Sequence, residues 1–140
     1  MTPMATSAAP RPRALVALQI EATVLMSLAI GQAGLAAGFL GGDEGLKPLH
    51  GVNAYALLTL TVAVIITAVV YRRGGGPRWP VLGGAILLAV ETLQLVLART
   101  AVVGLHIFCG VLFVVLATLL TSYLFRPGFV PRSDAPAVRG

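Results

Sequence analysis

The chain has 140 residues, room for about one domain. With 57% hydrophobic and 11% charged residues and a mean hydropathy of +0.91, it lacks the polar surface of a soluble fold, whose charged share is about a quarter. The single cysteine, Cys109, excludes an intrachain disulfide scaffold, and the apolar content excludes disorder for the bulk of the chain. The net charge of +5 sits at the ends of long apolar runs rather than on a wet face with interleaved aromatics, so the expected partner is a lipid bilayer and not a nucleic acid.

Four apolar runs are each long enough to cross a hydrocarbon core as a helix, which takes about 20 residues. In chain order they are expected near 14–40, 49–71, 79–98 and 101–125. They do not alternate polar with apolar, as the strands of a membrane barrel would. Residues 1–12, rich in Pro and Ala, read as a disordered cytoplasmic tail. The first run follows Arg11 and Arg13, is too long for a signal-peptide core, and contains Gln19, Glu21 and Gln32, so it is expected to stay uncleaved. Within it, Gly34-Leu-Ala-Ala-Gly38 is a small-xxx-small pattern that suits close helix packing or a homodimer.

Gly41-Gly42-Asp43-Glu44-Gly45 with Pro48 separates the first pair of runs, and Gly74-Gly75-Gly76-Pro77 the middle pair. Only Arg99 and Thr100 lie between the last two, which predicts a tight antiparallel hairpin. Residues 127–140 read as a second disordered tail. The expected domain is therefore 13–126, an all-α integral membrane four-helix bundle.

Cation placement orients it. Arg11, Arg13, Arg72, Arg73, Arg78, Arg126, Arg132 and Arg139 fall on one side, and only Lys47 and Arg99, beside Asp43 and Glu44, on the other. The positive-inside rule puts both termini in the cytoplasm of a multi-pass protein of the inner (plasma) membrane.

Ionisable groups inside spans are costly and need a reason. Here they are Glu21, His50, Glu91 and His106, joined by the amides Gln19, Gln32, Asn53 and Gln94. His50 and His106 stand near the starts of the second and fourth runs, which point the same way, so both imidazoles are expected at matched depth in the outer leaflet. Two neutral imidazoles facing one gap can serve as axial ligands of a b-type haem. Lys47 and Arg99 are close enough along the chain to pair with its propionates. Gly51, Ala54, Gly104 and Gly110 leave room for a flat ring, and Gln32 and Gln94 would donate or accept around it. The alternative is that these groups only stitch helices together. His106 and Cys109 share a face but make a weak metal site by themselves. Glu91 is a candidate catalytic or proton-handling carboxylate near the midplane; a neutral Glu bonded to a neighbouring helix is the other reading, for Glu21 as well.

A weak internal repeat runs through the chain. Leu49-His50 with an apolar run to Tyr71-Arg72 is echoed by Leu105-His106 with a run to Tyr123-Leu-Phe-Arg126, and an amide-bearing span precedes each histidine span. Two similar helix hairpins would set the histidines around one cofactor. The stretch from Leu93-Gln94 to Leu105-His106, with Leu49-His50-Gly51, resembles one half of the heme A synthase (cytochrome oxidase assembly) family and small bacterial four-helix membrane proteins of the same histidine order. The resemblance covers about residues 14–126. It departs at Lys47, where a Glu-x-x-His motif would need glutamate, and in lacking an outer-loop cysteine pair. It implies haem binding by His50 and His106, without implying catalytic oxidation of haem.

Three functions compete on the sequence: a bis-histidine haem b protein for electron transfer or haem handling, with a redox partner the sequence does not name; a non-enzymatic membrane subunit or assembly factor; and a small proton-coupled transporter using Glu91 and the histidines.

Overall fold

The computed structural model describes residues 11–100 and 102–126; the expected tails, apart from Arg11 and Pro12, lie outside the described residues, as does Ala101. It consists of four helices, α1 (Arg13–Leu40), α2 (Leu46–Arg73), α3 (Trp79–Leu97) and α4 (Val103–Leu124), and no strand occurs among the described residues. All four are long and apolar enough to cross a membrane. The chain is built as a multi-pass membrane protein folded into a four-helix bundle.

The helix ends follow local chemistry. Pro12 caps α1, its carbonyl accepting from the Leu15 and Val16 amides. Gly41 ends that helix, and Gly42 turns the chain at φ 110°, a conformation open mainly to glycine. The Asp43 side chain then accepts from the Gly45 amide at 3.1 Å. Pro48 does not break α2 as the sequence suggested. It is the third residue of the helix, where its missing N–H has no intrahelical acceptor anyway, so α2 begins at Leu46 rather than 49. Pro80 occupies the first turn of α3 for the same reason.

The bundle is a square. α1 packs on α2 and α4, and α3 packs on the same two helices; the backbones of α1 and α3 stay apart across one diagonal, and those of α2 and α4 across the other. Successive helices run antiparallel, so α2 and α4 are parallel across a diagonal. One end carries the 41–45 and 98–102 connections and both histidines; the other carries the arginine-rich 74–78 connection and the start of α1.

The core lies toward the arginine end. Leu15, Leu18, Ala22 and Leu25 of α1 close on Val64 and Ala68 of α2, Leu87 of α3 and Ala117 of α4. Hydrogen bonds tie the seams: Gln19 Nε2 donates to the Leu124 carbonyl at 2.8 Å, Thr121 Oγ1 to the Ala22 carbonyl at 3.0 Å, and Thr67 Oγ1 to Glu21 Oε1 at 2.9 Å. Glu21 thus bonds a neighbouring helix, the structural alternative that its position allowed.

The two glycines of the small-xxx-small pattern do different things. A Cβ on Gly38 would run into the Leu46 side chain, so this glycine seats the start of α2 against α1 within one chain; Gly34 faces open space.

Candidate functional site

His50 is the fifth residue of α2 and His106 the fourth of α4. Their parallel, diagonal helices bring them together: the ring centres are 6.3 Å apart, with planes inclined at 63°. Phe39 at the end of α1 sets its ring edgewise to His50, with centres 5.3 Å apart.

His50 is held by a dense network. Its Nδ1 lies 3.2 Å from the Gln32 carbonyl, which can only accept, so Nδ1 carries the proton. Nε2 is then the bare nitrogen and accepts from Gln32 Nε2 at 3.3 Å; the same amide donates to the His50 carbonyl at 3.0 Å. Asn53, one turn along α2, donates to Gln32 Oε1 at 2.7 Å and to the Leu28 carbonyl at 3.0 Å. This tautomer leaves Nε2 as the nitrogen a metal would take.

The second hairpin has the same parts without the bonds. His106 Nδ1 is buried and lacks a hydrogen-bond partner, and so does Gln94 Oε1. Gln94 packs against α4 one turn from His106: a Cβ on Gly110 would come within 2.9 Å of Gln94 Nε2. Where Asn53 follows His50 by three residues, Cys109 follows His106, and a thiol cannot make the amide's two donations.

Two observations bear on whether these residues suit a haem. Metal–imidazole bonds are about 2 Å long, so an iron between two imidazole nitrogens needs ring centres roughly 6 Å apart. The histidine pair meets that spacing. Around it the helices are not closed: no residue of α1 beyond Ala29 or of α2 before Leu57 is buried. The unpartnered His106 Nδ1 adds a polar atom without a function in the bundle itself. One group must give way, since the Gln32 amide stands at His50 Nε2; it can keep its bond to the His50 carbonyl when it does. By donor chemistry and ring spacing the residues fit the group.

Of the other expected residues, Lys47 and Arg99 are exposed at the histidine end. Glu91 is not at the histidines. It lies one turn deeper than Gln94 on α3, buried, with neither carboxyl oxygen hydrogen-bonded. No group of three or more metal-ligating side chains occurs among the described residues, so Cys109 does not extend the histidine pair into a metal cluster.

Sequence reading passed over Thr61, a fully buried α2 hydroxyl that faces Glu91, and Phe39 beside His50. A lone threonine in an apolar run carries no signal of what it faces. Asn53 was noticed as an intramembrane amide, but its bond to Gln32 depends on helix rotation.

No protein-family model matches the chain, and neither does a curated protein or a solved structure.

Proposed function

We propose that the chain is a bis-histidine haem b protein of the membrane, serving electron transfer or haem handling, in which His50 and His106 would hold the haem. The observation that carries this reading is the meeting of two imidazoles from diagonal helices, with ring centres 6.3 Å apart, in the half of the bundle where the helices do not close. Cofactor sites in bundles are built this way, from side chains on facing helices. The resemblance to half of a heme A synthase points to the same pair.

The Gln32 carbonyl fixes the His50 tautomer, and Gln94 Oε1 is the acceptor at hand for His106 Nδ1–H. Lys47 and Arg99 would pair with propionates at the membrane surface. When bound, a haem supplies reversible one-electron exchange; the protein holds it, sets its orientation and keeps water from its inner side. With both termini cytoplasmic in the plasma membrane, the site would open outward. A homodimer, if formed through α1, would rest on Gly34, because Gly38 is used within the chain.

A second reading has its own support. The Gln32–His50–Asn53 network is satisfied with no ligand, as expected of a structural subunit whose polar groups only join α1 to α2.

The reduced-minus-oxidised absorbance spectrum of protein purified after expression with ample haem tests the choice. The haem reading expects a low-spin b-type spectrum in the wild type, with loss of haem or a high-spin iron in both His50→Ala and His106→Ala. A colourless wild type, or two variants with unaltered spectra, would leave the structural reading.

A further inference from the structure

We propose that Glu91 and Thr61 form a proton-binding site in the core of the bundle, separate from the histidine pair, where the carboxyl binds and releases a single proton. Glu91 is 5% exposed, and neither of its oxygens has a hydrogen-bond partner; Thr61 on α2 is 0% exposed, and its hydroxyl is likewise unpartnered. The two side chains face each other across the α2–α3 seam. Glu91 is twelve residues from the first residue of α3 and six from the last. At 1.5 Å per residue that puts it about 18 Å and about 9 Å from the helix ends, well away from headgroups.

An ionised carboxylate offers about four acceptor positions and would find one hydroxyl here. It would also lack a counter-charge. The titratable side chains facing inward on the helices packed against α3 are Tyr71 and His50 of α2 and Cys109 and His106 of α4. The two imidazoles, the only ones able to become cations, lie toward the histidine end, His50 eleven residues along α2 from Thr61 and His106 one turn beyond the level of Gln94. The other intramembrane acid, Glu21, is on α1, diagonally across the bundle from α3, and is bonded to Thr67 of α2. A charge so placed is costly, whereas the neutral acid supplies one donor and one acceptor to match the hydroxyl. The next polar group toward the histidine end is Gln94, one turn along the same side of α3, with Oε1 buried and unpartnered. It gives the proton a stepping point out of the core.

The test uses the full-length chain in phospholipid vesicles without added haem, so it stands or falls independently of the haem reading. Infrared spectra at neutral pH are expected to contain the carbonyl band of a protonated carboxylic acid. A component of that band should be lost in Glu91→Gln, remain in Glu21→Gln and shift in Thr61→Val. A readout on the unaltered protein guards against misfolded variants: dicyclohexylcarbodiimide should label Glu91, located by mass spectrometry. In that reaction the acid O–H adds across a C=N bond, oxygen bonding to carbon and the proton passing to nitrogen. Absence of the acid band at neutral pH, a band untouched by Glu91→Gln, or no adduct on Glu91 would overturn the proposal. Suppression of labelling by sodium at constant pH would also overturn it, in favour of a metal-cation site.

Discussion

The arginine half and the histidine half of the bundle are made by the same four helices from much the same residues, yet they pack differently. In the arginine half, inward side chains close on one another, and Gln19 and Thr121 bond to backbone carbonyls across the α1–α4 seam. In the histidine half only Leu97 and Cys109 are buried past the level of Ala29, Leu57, Glu91 and Phe113 among the described residues. Apolarity cannot explain this, because lipid is as apolar as leucine and small residues and interhelical hydrogen bonds decide how closely helices approach. The glycines make the point. A Cβ on Gly84 would come within 2.7 Å of Ile65 Cγ1, whereas one on Gly51 or Gly104 would meet nothing within 4 Å. The division is not strict, since in the histidine half Gly38 and Gly110 also sit against neighbours, Leu46 and Gln94.

The sharpest way to break this comparison is to remove leucines. Leu18→Ala and Leu87→Ala delete fully buried side chains and should each cost about 2–5 kcal/mol. Leu105→Ala, at an exposed position of the histidine half, should stay within about 0.5 kcal/mol. Reversible unfolding in mixed detergent micelles measures both. Equal losses would mean that the halves are equally packed.

Adding a methyl group is the complementary test. Gly84→Ala must push Ile65 aside and should cost about 1–3 kcal/mol. Gly104→Ala meets nothing and gains helix propensity, up to about 1 kcal/mol in favour of folding. The haem reading adds a second expectation: Gly110→Leu, one turn from His106 on the same face of α4, should lower haem retention, since it takes up space between that histidine and Gln94. Thermal unfolding and haem content of the same preparations separate the two effects. If Gly110→Leu binds haem like the wild type, the room beside His106 has another use.

Which of these features the sequence carries depends on what fixes each one. Span number and ends were legible because hydropathy and Gly/Pro breaks report them directly, and the error at Pro48 came from treating a first-turn proline as a stop. The matched depth of His50 and His106 was legible because short connections force alternate helices to be parallel. That Gln32 lies at the depth of His50 was legible by counting residues back from one turn, but its bonds to His50 were not. The contact of Glu91 with Thr61, the Asn53–Gln32 bond and the inward use of Gly38 were not legible. Each depends on how a helix is rotated about its axis, and helices that are apolar all round carry no stripe to reveal it. Nor does the weak repeat disclose that one hairpin is bonded through Asn53 while the other, with Cys109 in its place, leaves Gln94 and His106 unpartnered.

The smallest expected effect concerns the rim of the histidine half. Lys47 and Arg99 are exposed, so any pairing with propionates there happens in water, where an ion pair is worth about 0–1 kcal/mol. Lys47→Gln and Arg99→Gln should therefore leave stability unchanged and each weaken haem binding by no more than about fivefold, which is that energy expressed as a ratio. Salt should erase most of the difference, because charges exposed to solvent are screened beyond about 8 Å at physiological ionic strength. Haem titrations of both variants at low and high salt check this. A loss much larger than fivefold that survives high salt would mean that the rim closes over the bound group and shields the pair from water. The histidine half would then be open only until its ligand arrives.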